Sequence, residues 1–514
     1  MNPGGSAEPR LDLDDIQAHV LPGFGHEHQC LLGWRLPDDD PAPPARGLLA
    51  ALADRITPAS RGLHIRQLRR AARHGRAEAA ATTPSSNEPH SSARHGRIDP
   101  AVLAEPPALA AAVSARTLRV LGHADVAAID EAFAVGMARR SYLRDPPSTE
   151  WTTGGPGREI DILVVLAGDD PALLADAAAT VSGAGTEAGC ELVHEQHARR
   201  LPGDIEHFGF RDGISQPVLR GVVDDAGTPL VARTPMPPMP DHRAYAAPGD
   251  VLLWPGQFLF GLPRQSATDP TRPLPARSVP ALARNGSLLV YRKLEQDVAG
   301  FYADTARMAA ALNTDPADVR AQLVGRRPDG RPLVRPADAT SAELNHFGYD
   351  TDAPPIPDGP RGATADPDGL RCPLAAHIRK VNPRDQETDK GPSAATLSFA
   401  ILRRGITYGE RYDHDSPGTA DERGLLFLCY QTDLTQQFEL LAQRWANNPE
   451  RPRQGLSNGV DLIIGRVTPG TERRATLLAG EVSTMTDYVH PRGGAYLFTP
   501  SLSAIRTLSK ANAP

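Results

Sequence analysis

The first candidate for a catalytic residue in this 514-residue sequence is an aspartate that lies between two glycines. Asp212 lies in the stretch EHFGFRDGISQP, between Gly209 and Gly213. Glycine has no Cβ, so the backbone can come close to a flat or bulky ligand, and a carboxylate held there can act as an acid or a base. An aspartate beside glycine more often satisfies the amides of a turn, so this motif alone is a weak signal.

A histidine in an apolar segment is the second candidate. His377 follows two alanines in CPLAAHIRKVNPR, where a neutral imidazole that faces inward can bind a metal. The ordinary alternative is a core histidine with a single hydrogen bond. No second histidine or carboxylate stands three or four residues further on, so a zinc or non-haem iron site would need distant partners. A single axial ligand fits a haem iron better.

Two later segments offer cations and an apolar wall. In ILRRGITYGE an apolar strand ends at Arg403 and Arg404, which brings permanently charged guanidinium groups to the rim of a core. At least one of these two arginines is expected to be an ordinary solvated strand end. In ERGLLFLCYQ the two-residue alternation of a strand places Leu425 and Phe427 on one face, where they can equally be plain core residues.

Apolar runs of strand length recur along the chain, several of them followed by a helical pattern. Residues 160–166 predict a strand, and the next segment predicts a helix that is capped by Asp169 or Asp170 and has Pro171 in its first turn. The same criteria predict strands at residues 190–196, 287–294, 395–404 and 424–431 and helices at 297–312 and 432–448. This irregular mixture favours an α+β fold of antiparallel sheets with helices packed on one face.

The length of the chain favours two lobes of similar architecture. We place an N-terminal lobe at residues 1–230, with the GxxDG motif near its end, and a C-terminal lobe at residues 231–514. Residues 69–97 are rich in Ala, Ser, Arg and His and predict a mobile insertion, and residues 353–369 predict a long surface loop.

Composition excludes several classes of protein. Apolar residues make up 40% and charged residues 23% of the chain, which indicates a globular protein, and no apolar run approaches the ~20 residues of a membrane helix. A net charge of −7 disfavours nucleic acid as a partner. Four scattered cysteines predict buried small residues rather than a disulfide framework or a zinc site. The opening residues show no export signal, so a cytoplasmic location is expected.

Taken together, these segments resemble a known family. HFGFRDGISQP, CPLAAHIRKVNPR, LRRGITYG and GLLFLCYQ are similar to signature segments of the dye-decolorising peroxidases, haem enzymes built from two ferredoxin-like lobes. PGQFLFGLP and GGAYLFTPSL resemble further family segments in the same order, so the resemblance covers most of the chain. GxxDG alone is unspecific, whereas the ordered series is specific. The resemblance is closest to the longer family members, which carry insertions.

The resemblance implies a role for each matching residue. His377 matches the axial ligand of the haem iron, Asp212 the acid–base residue on the opposite, distal face, and Arg403 the distal arginine, with Arg404 as second choice. Other matches imply contacts with the cofactor: His207 and Arg379 near the haem propionates, Leu425 and Phe427 as the apolar lining, and Gly213 beside the haem.

Two details stay open at this stage. A carboxylate is expected to hold the second nitrogen of His377, and the sequence offers Asp461 and Asp487, of which we prefer Asp461. Some family members carry an asparagine two residues after the distal arginine, and here that position is Gly405. Asp212 and Arg403 are therefore expected to share the distal chemistry without it.

The resemblance implies a haem peroxidase with one haem b per chain, acting as a monomer or a homodimer. It would reduce hydrogen peroxide and oxidise phenolic, aromatic or dye substrates in one-electron steps. Because Asp212 must be ionised to act as a base and an unperturbed aspartate has a pKa near ~4, we expect an acidic optimum.

Bulky dyes cannot enter a pocket sized for peroxide, so their electrons would come through surface aromatic residues. The candidates are the ten tyrosines and four tryptophans, of which Trp445 reads as ordinary packing. Two alternatives remain. A haem-binding or porphyrin-processing protein would use His377 but not the Asp212 and Arg403 pair, and a ferredoxin-like scaffold would use none of the three.

Overall fold

A computed structural model describes residues 8–69, 105–223, 229–231, 246–413, 422–453, 458–468 and 470–510. The strands are β1 His28–Arg35, β2 Ala108–Val113, β3 Ile162–Gly168, β4 Glu191–Arg199, β5 Val218–Leu219, β6 Leu252–Leu253, β7 Ser287–Gln296, β8 Leu402–Arg403, β9 Ile406–Tyr408, β10 Gly424–Gln431, β11 Arg473–Leu477, β12 Gly480–Thr484 and β13 Val489–Thr499. The helices are Ala42–Ala53, residues 59–69, Ala115–Val120, Glu131–Val135, Pro171–Glu187, Val298–Leu312, Pro316–Val324, His377–Val381 and Leu502–Leu508, with a π-helix at Leu440–Ala446.

Nine of these strands form one antiparallel sheet. Its order is β4-β1-β3-β2-β13-β7-β10-β8, and β9 pairs with β10 beside β8. The first four strands come from the N-terminal part of the chain, and the last strand, β13, joins them to the C-terminal part where Phe498 lies opposite Val113. The architecture is therefore the expected two-lobed α+β fold with antiparallel sheets.

The two ends of the sheet approach each other. Strand β9 lies against β4, and the Thr407 hydroxyl donates a hydrogen bond to the Arg199 carbonyl. The sheet thus has an inner face, where Leu163, Leu289 and Leu428 pack in one core cluster. The opposite face packs against helices in a second cluster. Side chains of β10 alternate between the two faces, so successive residues of this strand pack in different clusters.

The helix after β3 shows how local sequence positions these elements. The Asp170 carboxylate accepts hydrogen bonds from the amides of Ala172 and Leu173, and Pro171 occupies the first helical position. The first backbone N–H groups of a helix have no acceptor within the helix. The Asp170 carboxylate accepts from two of them, and proline at the first position has no N–H that needs an acceptor. Strands β3, β4, β7 and β10 and the helix Val298–Leu312 also lie where the sequence predicts them.

Two predicted elements differ from the structure. Only the last part of segment 395–404 is a strand, because Thr396 and Ser398 bond their hydroxyls to nearby carbonyls and hold 3₁₀ turns instead. The helix predicted at 432–448 becomes helical only at residue 438. Before that point the Gln437 side chain accepts hydrogen bonds from the amides of Thr432 and Asp433, which fixes a turn.

The two predicted interruptions have different outcomes. Residues 70–104, which include nearly all of the predicted insertion, lie outside the described residues. Residues 353–369 form the predicted loop, with a single β-bridge between Ala353 and Ala363. All four cysteines are buried and unpaired, as predicted. Within the described ranges, every helix is too short or too polar to cross a membrane.

Candidate active site

The loop that carries Asp212 is fixed by its own backbone. The amide of Asp212 donates to the Asp204 carbonyl at 2.9 Å, and the amide of Arg211 donates to the Pro328 carbonyl at 3.1 Å. Gly209 and Gly213 have φ angles of +91° and +74°, a region that favours glycine. A Cβ on Gly213 would meet no atom within 4 Å. The glycines are therefore required by the turn, and the space in front of Gly213 is open.

Arg403 contacts this loop from the sheet. It lies on β8 opposite Cys429 of β10, so its side chain shares a sheet face with Cys429 and Phe427. One guanidinium nitrogen donates to Asp212 Oδ1 at 3.0 Å and another to the Ser215 carbonyl at 3.0 Å. Arg404 turns the other way, donating to the carbonyls of His19 and Val20. Of the two arginines, the structure pairs Arg403 with the aspartate.

The charge of Arg403 determines the protonation of Asp212. Burial by itself would raise the pKa of Asp212, but the nearby Arg403 charge and a hydrogen bond from the Gly213 amide outweigh burial and hold the pKa below its ordinary value. The carboxylate side chain is 41% exposed because it borders a cavity. Asp212 is thus an ionised carboxylate that a small molecule can reach.

His377 is held by a carboxylate, as expected from the sequence. It begins the short helix His377–Val381, and its Nδ1 donates to Asp461 Oδ2 at 2.7 Å. Asp461 is fully buried, and its other oxygen accepts hydrogen bonds from the amides of Ile463 and Ile464. Asp487 instead forms ion pairs with Arg466 and Arg473. The structure therefore selects Asp461 over Asp487.

The same pairing sets the electrostatics of the imidazole. Burial alone would lower the pKa of His377, but the charge and hydrogen bond of Asp461 raise it above its ordinary value. The charges of Arg403 and Asp212 also act on His377, so these groups share one electrostatic environment. Among the described residues Nε2 of His377 has no hydrogen-bond partner, and the side chain is 27% exposed. In the neutral ring Nδ1 is thereby fixed as the donor, and Nε2 keeps an available lone pair.

A cavity of about 440 Å³ opens beside the aspartate. Asp212, Gly213, Arg403, Gly405 and Leu425 all contribute to its wall. Its size lies within the range of small-molecule sites. The lining residues do not include His377 or Phe427, so this cavity covers the Asp212 side of the site. Phe427 packs against Phe438 with ring centroids 6.1 Å apart.

His207 is close to the loop but occupies a different setting from Asp212. Its Nε2 donates to the Tyr408 carbonyl at 2.8 Å, while its buried Nδ1 has no partner among the described residues. Burial, opposed by the Tyr408 hydrogen bond, lowers the pKa of His207 to about 4. The ring is therefore neutral near pH 7, and Nδ1 could donate to a carboxylate ligand only after taking up a proton.

The prediction that Arg379 contacts a haem propionate is wrong. Its five N–H groups are all used within the protein, on Gln386, Asp366, Cys372 and Pro367. The side chain is 1% exposed, and its guanidinium stacks over the ring of Tyr349. No donor is left for a haem propionate, so this geometry gives Arg379 a structural role in holding the loop before the His377 helix.

We expect the Arg379→Ala substitution to destabilise the protein. It leaves the buried Asp366 carboxylate without its cation, and breaking a buried pair in this way lowers the free energy of unfolding by about 3–5 kcal/mol. Denaturant unfolding would measure the change. The Arg272→Ala variant is the control, because that arginine is largely exposed and should change stability by less than about 0.5 kcal/mol. Equal stability of the two variants would contradict the structural role.

The tryptophans do not meet the expectation of surface electron donors. Trp34, Trp151, Trp254 and Trp445 are each no more than 3% exposed. Trp445 packs edge-on against Phe399, and its indole nitrogen donates to Asp389. The interpretation of Trp445 as a packing residue is confirmed. A bulky substrate could not contact any of the four rings directly.

Two residues of the site were not predicted, although both stand in the segment EHFGFRDGISQP. The Gln216 side chain accepts a hydrogen bond from the Arg403 amide at 3.2 Å, and Glu206 borders the cavity together with Asp212. Only the contacts between distant segments reveal these roles. The nearest signal was their proximity in sequence to Asp212.

Comparisons with known proteins agree with this geometry. The family model of the C-terminal part of Dyp-type peroxidases matches residues 310–458. A dye-decolorizing peroxidase of Mycetinis scorodonius is 31% identical over 436 residues, which are 77% of this chain and 75% of that protein. A multifunctional dye peroxidase of an Amycolatopsis species is 32% identical over 414 residues, 74% of this chain and 78% of that protein.

Solved structures lead to the same family. An ancestral D-type dye decolorizing peroxidase superposes with a TM-score of 0.72 and 26% identity, over 98% of this chain and 100% of that one. Relatives above 30% identity that extend over most of both chains show more than a shared fold. The chain belongs to the dye-decolorising, or DyP-type, peroxidase family.

Proposed function

We propose that His377 binds the iron of a haem b, and that Asp212 and Arg403 lie on the opposite face of the haem, where peroxide reacts. The chain is a haem peroxidase that uses hydrogen peroxide and a reductant. The observation that carries the residue assignment is the pair of contacts described above: Asp461 fixes His377 Nδ1, and Arg403 binds Asp212.

The residues present fit a haem. An imidazole whose Nδ1 donates to a carboxylate presents Nε2 as a basic ligand, which is the usual arrangement of a metal-binding histidine. A Cβ on Gly213 would meet no atom within 4 Å, so the backbone there leaves room for a ligand to approach. Leu425 and Phe427 follow the alternation of β10 and supply apolar surface on the same sheet face as Arg403. The free Nδ1 of the buried His207 is an unsatisfied polar atom in the same segment.

Asp212 is suited to move a proton between the two oxygens of peroxide. When bound, the haem supplies the redox chemistry. The ionised Asp212 carboxylate can take the proton from the nearer oxygen and return it to the departing oxygen, acting first as a base and then as an acid. Its lowered pKa keeps the carboxylate in the base form into the acidic range.

Arg403 supports this proton transfer without taking part in it. Its guanidinium stays charged and presents several N–H donors, so it stabilises negative charge that develops on the departing oxygen. It also fixes Asp212 in place through the 3.0 Å hydrogen bond. Gly405 also lines this cavity and has no side chain, so its position adds no polar group to Asp212 and Arg403. The hydrogen bond to Asp461 gives the His377 ring more anionic character, which would favour the higher oxidation states of iron in a bound haem.

The proposal also includes the class of the reductant. The relatives are named as dye peroxidases, which supports phenolic, aromatic or dye substrates oxidised one electron at a time. With all four tryptophans buried, a half-exposed tyrosine such as Tyr142, 40% exposed, is a better surface donor. A monomer or homodimer and a cytoplasmic location stay predictions.

The proposed function is tested with the protein purified after expression with a haem precursor. We expect an absorption band of bound haem that changes on addition of one equivalent of peroxide, followed by oxidation of an anthraquinone dye. A haem-binding or porphyrin-processing protein would show the band but no reaction with peroxide. A silent scaffold would show no band.

The pH dependence of the peroxide reaction should report the pKa of Asp212. Because Arg403 lowers this pKa, the base form persists at acidic pH, and activity is lost only as the pH falls through the lowered value. In Arg403→Leu the pKa of Asp212 should rise, so the acidic limb of the rate profile should move to higher pH. Arg403→Lys keeps a charge and should shift the limb less. An acidic limb at the same pH in wild type and Arg403→Leu would contradict the assignment.

A further inference from the structure

A second carboxylate borders the cavity next to Asp212. Glu206 begins the turn that leads to Asp212, and both residues line the same cavity. Its Oε2 accepts hydrogen bonds from the amide of Phe208 at 2.9 Å and from Gln296 Nε2 at 2.6 Å, and its Oε1 accepts from the amide of Phe210 at 3.0 Å. Glu206 is therefore held in a defined position beside the acid–base residue.

The partner of Glu206 on the sheet can serve two protonation states. Gln296 is 7% exposed, and its amide oxygen has no hydrogen-bond partner among the described residues. An amide offers a donor at one end and an acceptor at the other. It can donate to an ionised Glu206 or, after rotating by half a turn, accept from a protonated one. The unsatisfied oxygen of Gln296 is thus available for a protonated carboxyl.

The proposed reaction requires a supply of protons. Reduction of peroxide follows H₂O₂ + 2 e⁻ + 2 H⁺ → 2 H₂O, and the two electrons come from two one-electron oxidations of the reductant. Asp212 returns the one proton that it takes from peroxide, so it provides no net supply. Each phenol that is oxidised at the surface releases its proton to solvent, so the two protons consumed in each turnover must enter the cavity from solvent.

We propose that Glu206 delivers these protons, passing each one to Asp212 and taking another from solvent through the cavity. The inference rests on the proposed function of Asp212. In each transfer a proton leaves the Glu206 carboxyl for the Asp212 carboxylate, and the Glu206 carboxylate then takes a proton from solvent, so charge and atoms balance. Glu206 touches no substrate in this scheme and acts through Asp212.

The electrostatics of the pair determine which of the two carboxyl groups holds the proton between transfers. Burial raises the pKa of Glu206 to about 7, against three hydrogen bonds that lower it, and the charge of Asp212 adds to the rise. Tyr302, on the packed helix, interacts with the charge of Glu206. Among the described residues, the other charged or titratable groups that line the same cavity besides Asp212 are His26, Arg66, Arg69, Arg200, Asp204, Arg403 and Arg404. Below pH 7 Glu206 is thus protonated while Asp212 is ionised. Because Glu206 has the higher pKa, transfer of its proton to Asp212 is uphill and goes forward only as Asp212 gives a proton to the reaction.

Infrared spectroscopy gives a readout that does not depend on haem or turnover. We expect the carbonyl band of a protonated carboxyl to be present in the wild type at acidic pH and to disappear on titration through about pH 7. This band should be missing in Glu206→Gln. Glu410→Gln is the matched control, because Glu410 is exposed and pairs with Arg199 at the surface, and it should keep the band. A band that persists in Glu206→Gln would overturn the inference.

Kinetics on the haem-loaded protein separate delivery of protons from support of the loop. Turnover of Glu206→Gln with a small phenol should fall by on the order of tenfold, less than the ~10²–10⁴-fold of a lost acid–base group, because solvent in the cavity can still deliver protons. The rate constant for reaction with peroxide should fall less than turnover does. Acetic acid added as a diffusible proton carrier should restore part of the loss.

Equal losses in both rates without rescue by acetic acid would mean that Glu206 only holds the loop. If Glu206→Gln does not fold, Gln296→Met provides the second test. The Gln296 hydrogen bond lowers the pKa of Glu206, so the band should then titrate at higher pH, and an unmoved titration would refute the scheme. A normal peroxide reaction in Asp212→Asn would instead refute the proposed function on which the scheme rests.

Discussion

Asp212→Asn is expected to lower the rate constant for reaction with hydrogen peroxide by about 10²–10⁴-fold, the range typical of a lost acid–base group. Asparagine has nearly the same shape and can still accept a hydrogen bond from Arg403, so the loop and the haem content should survive. What disappears is the group that can take a proton from peroxide and return it. Rapid mixing of the haem-loaded variant with peroxide measures the effect.

A neighbouring carboxylate provides the control for this substitution. Asp204 lies in the same segment, and its side chain pairs with Arg200 at the surface, whereas only its backbone carbonyl contacts Asp212. Asp204→Asn should therefore react with peroxide at nearly the wild-type rate. A loss of similar size in both variants would mean that the loop, and not the acid–base chemistry of Asp212, limits the rate.

His377→Ala should prevent stable binding of haem. The substitution removes the only proposed ligand of the iron and leaves the fully buried Asp461 without the hydrogen bond from Nδ1. We expect the purified variant to lack the haem absorption band, and added imidazole to restore part of it by occupying the vacated position. Haem content per protein chain, measured as a pyridine complex, is the readout.

The fold of the variant must be checked separately, because the Asp461 carboxylate becomes an unpaired buried charge. Circular dichroism of His377→Ala should match that of the wild type prepared without haem. A folded His377→Ala protein that still binds a full equivalent of haem, with unchanged absorption, would show that another residue is the axial ligand.

Much of the fold follows from local patterns. The apolar runs at β3, β7 and β10 are long and bounded by turn residues, and Asp170 with Pro171 determines where the helix Pro171–Glu187 starts. Predictions failed where polar side chains bond the local backbone. Gln437 holds a turn in a segment with a helical pattern, and Thr396 holds 3₁₀ turns in a segment with a strand pattern. A residue pattern does not show whether a polar side chain will bond the local backbone or point to solvent, so these two turns could not be predicted.

The order of the strands in the sheet could not be predicted from the sequence either. Strand β13 comes last in the chain but lies in the middle of the sheet, between β2 and β7. No residue pattern indicates this pairing, because Val113 and Phe498 become neighbours only through tertiary packing. The motifs around Asp212, His377 and Arg403 could nevertheless be matched to a family one by one. Their local sequences carry the resemblance without any knowledge of the sheet order.

The detailed contacts of the site required the structure. The family resemblance implied a haem contact for Arg379, but its donors bind groups in the protein interior. The sequence left both Asp461 and Asp487 open as partners of His377, with Asp461 preferred, and the ion pairs of Asp487 place it elsewhere. Glu206 stands in the same segment as Asp212, but no role was predicted for it, because its contact with Gln296 forms only when the loop packs against the sheet.

The most direct test of the central claim is a crystal structure of the protein loaded with haem. The claim predicts one haem whose iron is bound by His377 Nε2, with Asp212 and Arg403 together on the opposite face. A haem bound through a different residue, or one with Asp212 and Arg403 away from the face opposite its ligand, would contradict it.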